Sequence, residues 1–157
     1  MTSRREVLAR AACASLVLAP IGLLVPPAVR GQQPSLDAAA AFEAKSVAEL
    51  YKALGMAPPV PSGDLTLTAP DIAENGAVVP VAATTTLPNV QKMLFYVEKN
   101  ATVLAAMYDI SESMDPSIST RIKMSQTSNV YALALTADGK GHVAEKEVKV
   151  TLGGCGG

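Results

Sequence analysis

From Gly63 onward, apolar residues recur with a period of two in short runs separated by turn-forming residues. That is the signature of half-buried strands. The runs are Leu65 to Ala69, Ala77 to Thr86, Val90 to Val97, Val103 to Ile110, Ile118 to Met124, Val130 to Thr136 and His142 to Leu152. Between them lie Glu74-Asn75-Gly76, Leu87-Pro88-Asn89, Lys99-Asn100, Met114-Asp115-Pro116 and Asp138-Gly139-Lys140-Gly141, all turn chemistry. About seven strands with no helix among them predict an all-β, immunoglobulin-like β-sandwich. Before Gly63 the spacing is helical. Phe42, Val47, Leu50, Tyr51 and Leu54 recur through an Ala-rich stretch, and Ser46-Val47-Ala48-Glu49 has capping-box spacing. Gly55 ends that segment, and Ala57-Pro58-Pro59-Val60-Pro61-Ser62-Gly63 reads as an extended linker.

Alternation also assigns faces. Ile118, Thr120, Ile122 and Met124 oppose Ser119, Arg121 and Lys123, while Val148, Val150 and Leu152 oppose Glu147, Lys149 and Thr151. The run Val90 to Val97 differs, with Leu94 and Tyr96 on one face and Met93, Phe95 and Val97 on the other; Val130 to Leu135 is apolar on both faces. A strand with two apolar faces needs two covers. In a two-sheet sandwich the second must be the N-terminal helices or another protein, and the pattern favours an obligate partner.

The first residues read as an address. Ser3-Arg4-Arg5-Glu6-Val7-Leu8 is a twin-arginine pattern, followed by an apolar run from Ala11 to Val25 broken at Ser15, Pro20 and Gly22. This run is short of the roughly 20 residues that span a bilayer. The expected organisation is a twin-arginine signal over 1–31, a helical segment and linker over 32–62, the sandwich over 63–152, and a flexible arm over 153–157. The expected location is the periplasm, reached by the Tat pathway. Without the signal, nine bases stand against thirteen acids, and Arg121 is the single arginine. So mildly acidic a surface, with no basic run, argues against nucleic-acid binding.

Cys13 lies within the signal, which leaves Cys155 as the only thiol after export. A lone cysteine in an oxidising compartment is a working thiol, an interchain disulfide staple or an incidental residue. Its surroundings are distinctive. Gly153 and Gly154 precede it and Gly156 and Gly157 follow, directly after a strand of period two. Glycine lacks the Cβ that restricts the backbone, so the segment reads as a thin thread that extends about 10 Å beyond Leu152 at roughly 3.3 to 3.6 Å per residue. Nothing adjacent activates the thiol, and a nearby carboxylate disfavours thiolate. An enzyme holds its nucleophile rigidly, whereas a carrier that visits several enzymes needs a tether that docks and releases. A structural module stapled through Cys155 and a thiol enzyme are the rival readings.

The ending Lys146-Glu147-Val148-Lys149-Val150-Thr151-Leu152-Gly153-Gly154-Cys155-Gly156-Gly157 resembles the SoxY family, the sulfur carrier subunit of the Sox thiosulfate-oxidising system, whose hallmark is this glycine-flanked cysteine. The stretch Pro70 to Val81, with Ala73-Glu74-Asn75-Gly76 and Val79-Pro80-Val81, resembles it too, as do Ser119-Thr120-Arg121-Ile122-Lys123-Met124 and the twin-arginine start. The resemblance implies that the protein is a substrate-bearing scaffold and not an enzyme. It implies a covalent cycle on Cys155: a c-type cytochrome complex, SoxXA, joins thiosulfate to the cysteine oxidatively, and a manganese-dependent hydrolase, SoxB, releases sulfate. Where present, a sulfane dehydrogenase, SoxCD, oxidises the remaining sulfur. It further implies pairing with a SoxZ-like β-sandwich subunit as a heterodimer or heterotetramer, with no cofactor or metal of its own. That subunit would cover the doubly apolar strands.

The other candidates carry less. His142 is the only histidine, too few ligands for zinc, and reads as a surface turn residue. Arg121 and Lys123 share a strand face, suited to a sulfonate, a partner or simply solvent. Asn75-Gly76 reads as a tight turn that demands a positive φ. No Ser-His-Asp set, phosphate loop or dinucleotide fingerprint occurs.

Overall fold

The structure, a computed structural model, describes residues 36–154. The signal residues, with Arg4 and Arg5, and the residues Cys155, Gly156 and Gly157 lie outside the described part. Two short helices come first, α1 (Ala38–Glu43) and α2 (Val47–Ala53). Asp37 caps α1 by accepting from the Ala40 amide at 3.0 Å. Ser46 caps α2 by accepting from the Glu49 amide at 3.3 Å, and Glu49 reaches back to the Lys45 amide at 2.9 Å. This is the expected capping box shifted by one residue at its return bond. Gly55 adopts φ 64° and stops α2.

Nine strands follow among the described residues. They are β1 (Val60–Pro61), β2 (Leu65–Thr68), β3 (Ile72–Asn75), β4 (Val79–Thr85), β5 (Val90–Val97), β6 (Leu104–Asp109), β7 (Ser117–Ile122), β8 (Ser128–Thr136) and β9 (Gly141–Leu152). The seven expected strands are all present, with ends moved by no more than two residues. The larger sheet runs β1-β9-β8-β5-β6, with β3 also on β9, and the smaller runs β2-β4-β7. They form an open two-sheet sandwich of the immunoglobulin-like kind.

Period two decides what each sheet buries. Met93, Phe95 and Val97 of β5, Val130, Ala132 and Ala134 of β8, and Val148 of β9 face Val79, Val81 and Ala83 of β4 and Ile122 of β7. Burying each large apolar side chain there stabilises the fold by roughly 1.5 to 3 kcal/mol. The opposite face of β5 and β8 presents Leu94, Tyr96 and Leu133, which form a second core with Ala41, Ala44, Leu50 and Leu54 from the helical segment and with Val103 and Leu104. The Tyr51 and Tyr96 hydroxyls meet at 2.7 Å, and the Tyr96 ring stacks on Tyr131 at 4.7 Å. The second cover is therefore the chain's own helical segment. The double apolarity of β5 and β8 does not call for an obligate second chain.

Two short strands were not anticipated. β1 lies within the proline linker and pairs in parallel with β9 at His142 and Val143. β3 pairs in parallel with the far end of β9, Ile72 beside Lys149 and Asn75 beside Leu152. Glu74-Asn75-Gly76 is thus mostly strand. Gly76 does not take the left-handed backbone expected of a tight turn, since Gly55 and Gly139 are the positive-φ glycines among the described residues.

Candidate functional site

The last strand delivers the glycine-flanked segment to one end of the sandwich, where three backbones converge. The Gly76 amide donates to the Leu152 carbonyl at 2.7 Å, the Met124 amide donates to the Gly76 carbonyl at 2.7 Å, and the Gly154 amide donates to the Met124 carbonyl at 2.9 Å. Each such bond contributes a net of about 0.5 to 1.5 kcal/mol. Glycine is needed at this junction for space. A Cβ on Gly76 would land on the Met124 carbonyl oxygen and stand 2.8 Å from the Gly154 nitrogen and 2.9 Å from Val150 Cγ1. On Gly154 it would stand 2.7 Å from the Ala77 nitrogen, and on Gly153 it would collide with the Ser125 carbonyl oxygen.

The sequence predicts a flexible arm over 153–157, with Gly153 and Gly154 at its root. Gly154 is instead buried and hydrogen-bonded, so the arm root is seated against the β3–β4 turn and the β7–β8 loop, and the described chain is anchored to within one residue of Cys155. Close approach of backbones, not conformational freedom, is what these two positions use glycine for here. Leu152, expected to point inward with Val148 and Val150, is 67 % exposed because it lies beyond the core.

The seat is braced from β5. The amide side chain of Asn100, buried in the turn after β5, donates from Nδ2 to the Lys123 carbonyl at 2.8 Å and accepts at Oδ1 from the Ser125 amide at 3.0 Å. It straddles Met124, whose side chain is fully buried in the main core. Ser128 Oγ accepts from the Lys99 amide at 3.2 Å and ties the same turn to the start of β8. On the other flank, Lys146 pairs with Asp71 at 2.9 Å and donates to the Ala69 carbonyl at 2.6 Å, which fastens the lead into β3. The hydrogen bond from Lys146, reinforced by its charge, holds the Asp71 carboxyl below the usual carboxylate range.

Arg121 and Lys123 are exposed on the outer face of β7 and its extension, and make no ion pair among the described residues. Lys123 directly precedes Met124 and so stands beside the seat. His142 is not a surface turn residue: it lies in β9, partly buried, at the end of that strand remote from the seat, with Nδ1 buried and unpartnered. Neither the sequence pattern nor the turn chemistry marked Asn100. A polar residue in a turn is ordinary, and only its burial distinguishes it.

The fold and the site define an immunoglobulin-like sandwich whose last strand ends on a seated glycine pair immediately before Cys155. Residues 50–155 match the family model described as "Sulfur oxidation protein SoxY". Among solved structures, the sulfur carrier protein SoxY from Chlorobium limicola f thiosulfatophilum is 33 % identical, with a TM-score of 0.58, over 66 % of this chain and 93 % of that one. The chain belongs to the SoxY family, and it is a sulfur carrier of sulfur oxidation. Superoxide reductase (neelaredoxin) from Ignicoccus hospitalis overlaps 55 % of the chain at 16 % identity and a TM-score of 0.49, too low to carry an argument. No curated protein matches the chain.

Proposed function

We propose that the protein carries thiosulfate-derived sulfur covalently on Cys155 and presents it to the enzymes of the Sox thiosulfate oxidation pathway. The observation that carries this reading is the match to the SoxY family, which runs through to Cys155 itself. The geometry is consistent with it: the described chain ends on a buried Gly154, and the cysteine is the next residue. Gly156 and Gly157 add no side chain to obstruct a narrow channel in another protein. The chemistry is supplied by partners. A c-type cytochrome of the SoxXA kind forms the sulfur–sulfur bond between Cys155 and thiosulfate, with the electrons leaving through the cytochrome. A SoxB-like hydrolase then releases sulfate, and a SoxCD-like dehydrogenase oxidises the sulfur that remains.

The twin-arginine segment around Arg4 and Arg5 directs the chain to the periplasm by the Tat route, where the thiol meets these partners. A SoxZ-like subunit completes the carrier. The test is intact-mass measurement of the carrier after incubation with thiosulfate and the cytochrome. Adducts are expected on the natural chain and not on Cys155→Ser; an unmodified natural chain would refute the proposal.

A further inference from the structure

We propose that Asn100 is a positioning residue for the carrier arm, fixing through the Lys123–Ser125 loop the point at which the arm leaves the sandwich. The proposal rests on the carrier reading, since only a carried cysteine makes that point matter. The argument starts from the loop. Residues 123–125 lie past the end of β7 and before the start of β8, and of the three only Met124 has backbone partners, Gly76 and Gly154. Asn100 supplies the missing partners on both sides of Met124, one as donor to Lys123 and one as acceptor from Ser125. Because a carbonyl can only accept and an amide N–H can only donate, these two partners also fix which end of the Asn100 amide is oxygen.

Between those two bonds sits the carbonyl that receives the Gly154 amide. Asn100 makes no hydrogen bond to Gly154 among the described residues. It acts by holding the acceptor still. With the root seated at Gly154, a single Cα–Cα step of about 3.8 Å separates the seat from the thiol-bearing residue. With the root released as far as Leu152, three residues, up to about 10 Å, separate them. A client channel must then order two more residues each time it engages the arm, and that entropic cost falls on binding and leaves the bond-forming step alone.

The experiment uses the carrier in the assembly in which it is purified, with Asn100→Asp as the first variant. Aspartate keeps the acceptor for Ser125 and loses the donor to Lys123. The order parameter of the Gly154 N–H, expected near 0.85 in the natural chain, should fall below about 0.6. Amide exchange at Val148 and Ala132, in the body, should not change. In thiosulfate loading by the cytochrome, KM for the carrier should rise at least about thirtyfold, the smallest factor that ordering two further residues implies, with kcat unchanged.

Gly154→Ala gives the second arm. It leaves the Asn100 bonds in place and expels the root by collision with Ala77, so it must show the same rise in KM even if Asn100→Asp does not fold. The double variant must show no more than the larger single effect, because both act through one seat. A Gly154 N–H that stays rigid in Asn100→Asp, an unchanged KM in either variant, or additive effects in the double variant would each overturn the proposal. If the natural chain is not loaded by thiosulfate at all, the carrier reading fails, and the order parameter still decides whether Asn100 fixes the root.

Discussion

Gly76→Ala separates two reasons for a glycine. If Asn75-Gly76 were a tight turn of positive φ, asparagine would serve at position 76 nearly as well, and alanine would cost only backbone strain. Gly76 instead stands where three backbones meet, and an added Cβ would collide with the Met124 carbonyl and crowd the Gly154 nitrogen and Val150. All three neighbours belong to ordered backbone or buried packing, so the junction must open. Three hydrogen bonds lengthen or break: Gly76 to Leu152, Met124 to Gly76 and Gly154 to Met124. At about 0.5 to 1.5 kcal/mol each, the loss is about 1.5 to 4.5 kcal/mol. Replacing glycine by alanine also restricts the unfolded chain and returns about 0.4 to 1 kcal/mol. The expected net destabilisation is about 0.5 to 4 kcal/mol. In urea unfolding, with a slope near 1.5 kcal/mol/M, the midpoint should fall by about 0.3 to 2.7 M. Gly76→Asn should be at least as damaging as Gly76→Ala. A midpoint that holds or rises in Gly76→Ala, or a Gly76→Asn variant as stable as the natural chain, would refute the close-approach argument.

Two further outcomes test other parts of the structure. Leu50→Ala removes a fully buried side chain from the core between the helices and the outer face of β5 and β8. It should cost about 2 to 5 kcal/mol in denaturant unfolding of the chain without partners, and a loss below about 1 kcal/mol would mean that the helices are not the cover. For Asp71 the sign follows from a folded pKa held below the unfolded value by the Lys146 hydrogen bond: its contribution is present above the ordinary carboxylate pKa of 3.8 and is lost as pH falls through the lower folded value. The protection of β3 amides, their exchange taken relative to the intrinsic rate at the same pH, should therefore fall on acidification below 3.8 in the natural chain and show no such step in Asp71→Asn; a step shared by both would place the titration elsewhere.

The fold was largely legible because the seven main strands are apolar-rich runs of four or more residues bounded by turn chemistry, and β7 and the end of β9 show the alternation that burial of one face requires. The faces of β5 were legible for the same reason. What covers its outer face was not, since period two says that a surface is apolar and not which element lies on it. β3 was lost because only Ile72 and Ala73 of its four residues are apolar, and it exists through parallel pairing with the distant end of β9. β1 was hidden behind three prolines, yet Val60 and Pro61 need few donors at the edge of a sheet.

The glycine-flanked segment was legible as a motif and not in its mechanics. Sequence could not separate a glycine chosen for freedom from one chosen for space. Gly76, Gly153 and Gly154 belong to the second kind, and what shows it is the nearness of Met124, Ser125 and Ala77, all far from at least one of them in sequence. Asn100 escaped notice because its two partners lie more than twenty residues away.

The central claim is that sulfur from thiosulfate is held by a covalent bond to Cys155. The direct measurement is the intact mass of the carrier, purified after exposure to thiosulfate and the cytochrome oxidant, with the modified residue mapped by fragmentation. A reductant-sensitive adduct confined to the peptide that contains Cys155, and missing in Cys155→Ser, is the predicted result. An adduct that persists in Cys155→Ser, or a natural chain recovered unmodified while thiosulfate is consumed, would contradict it.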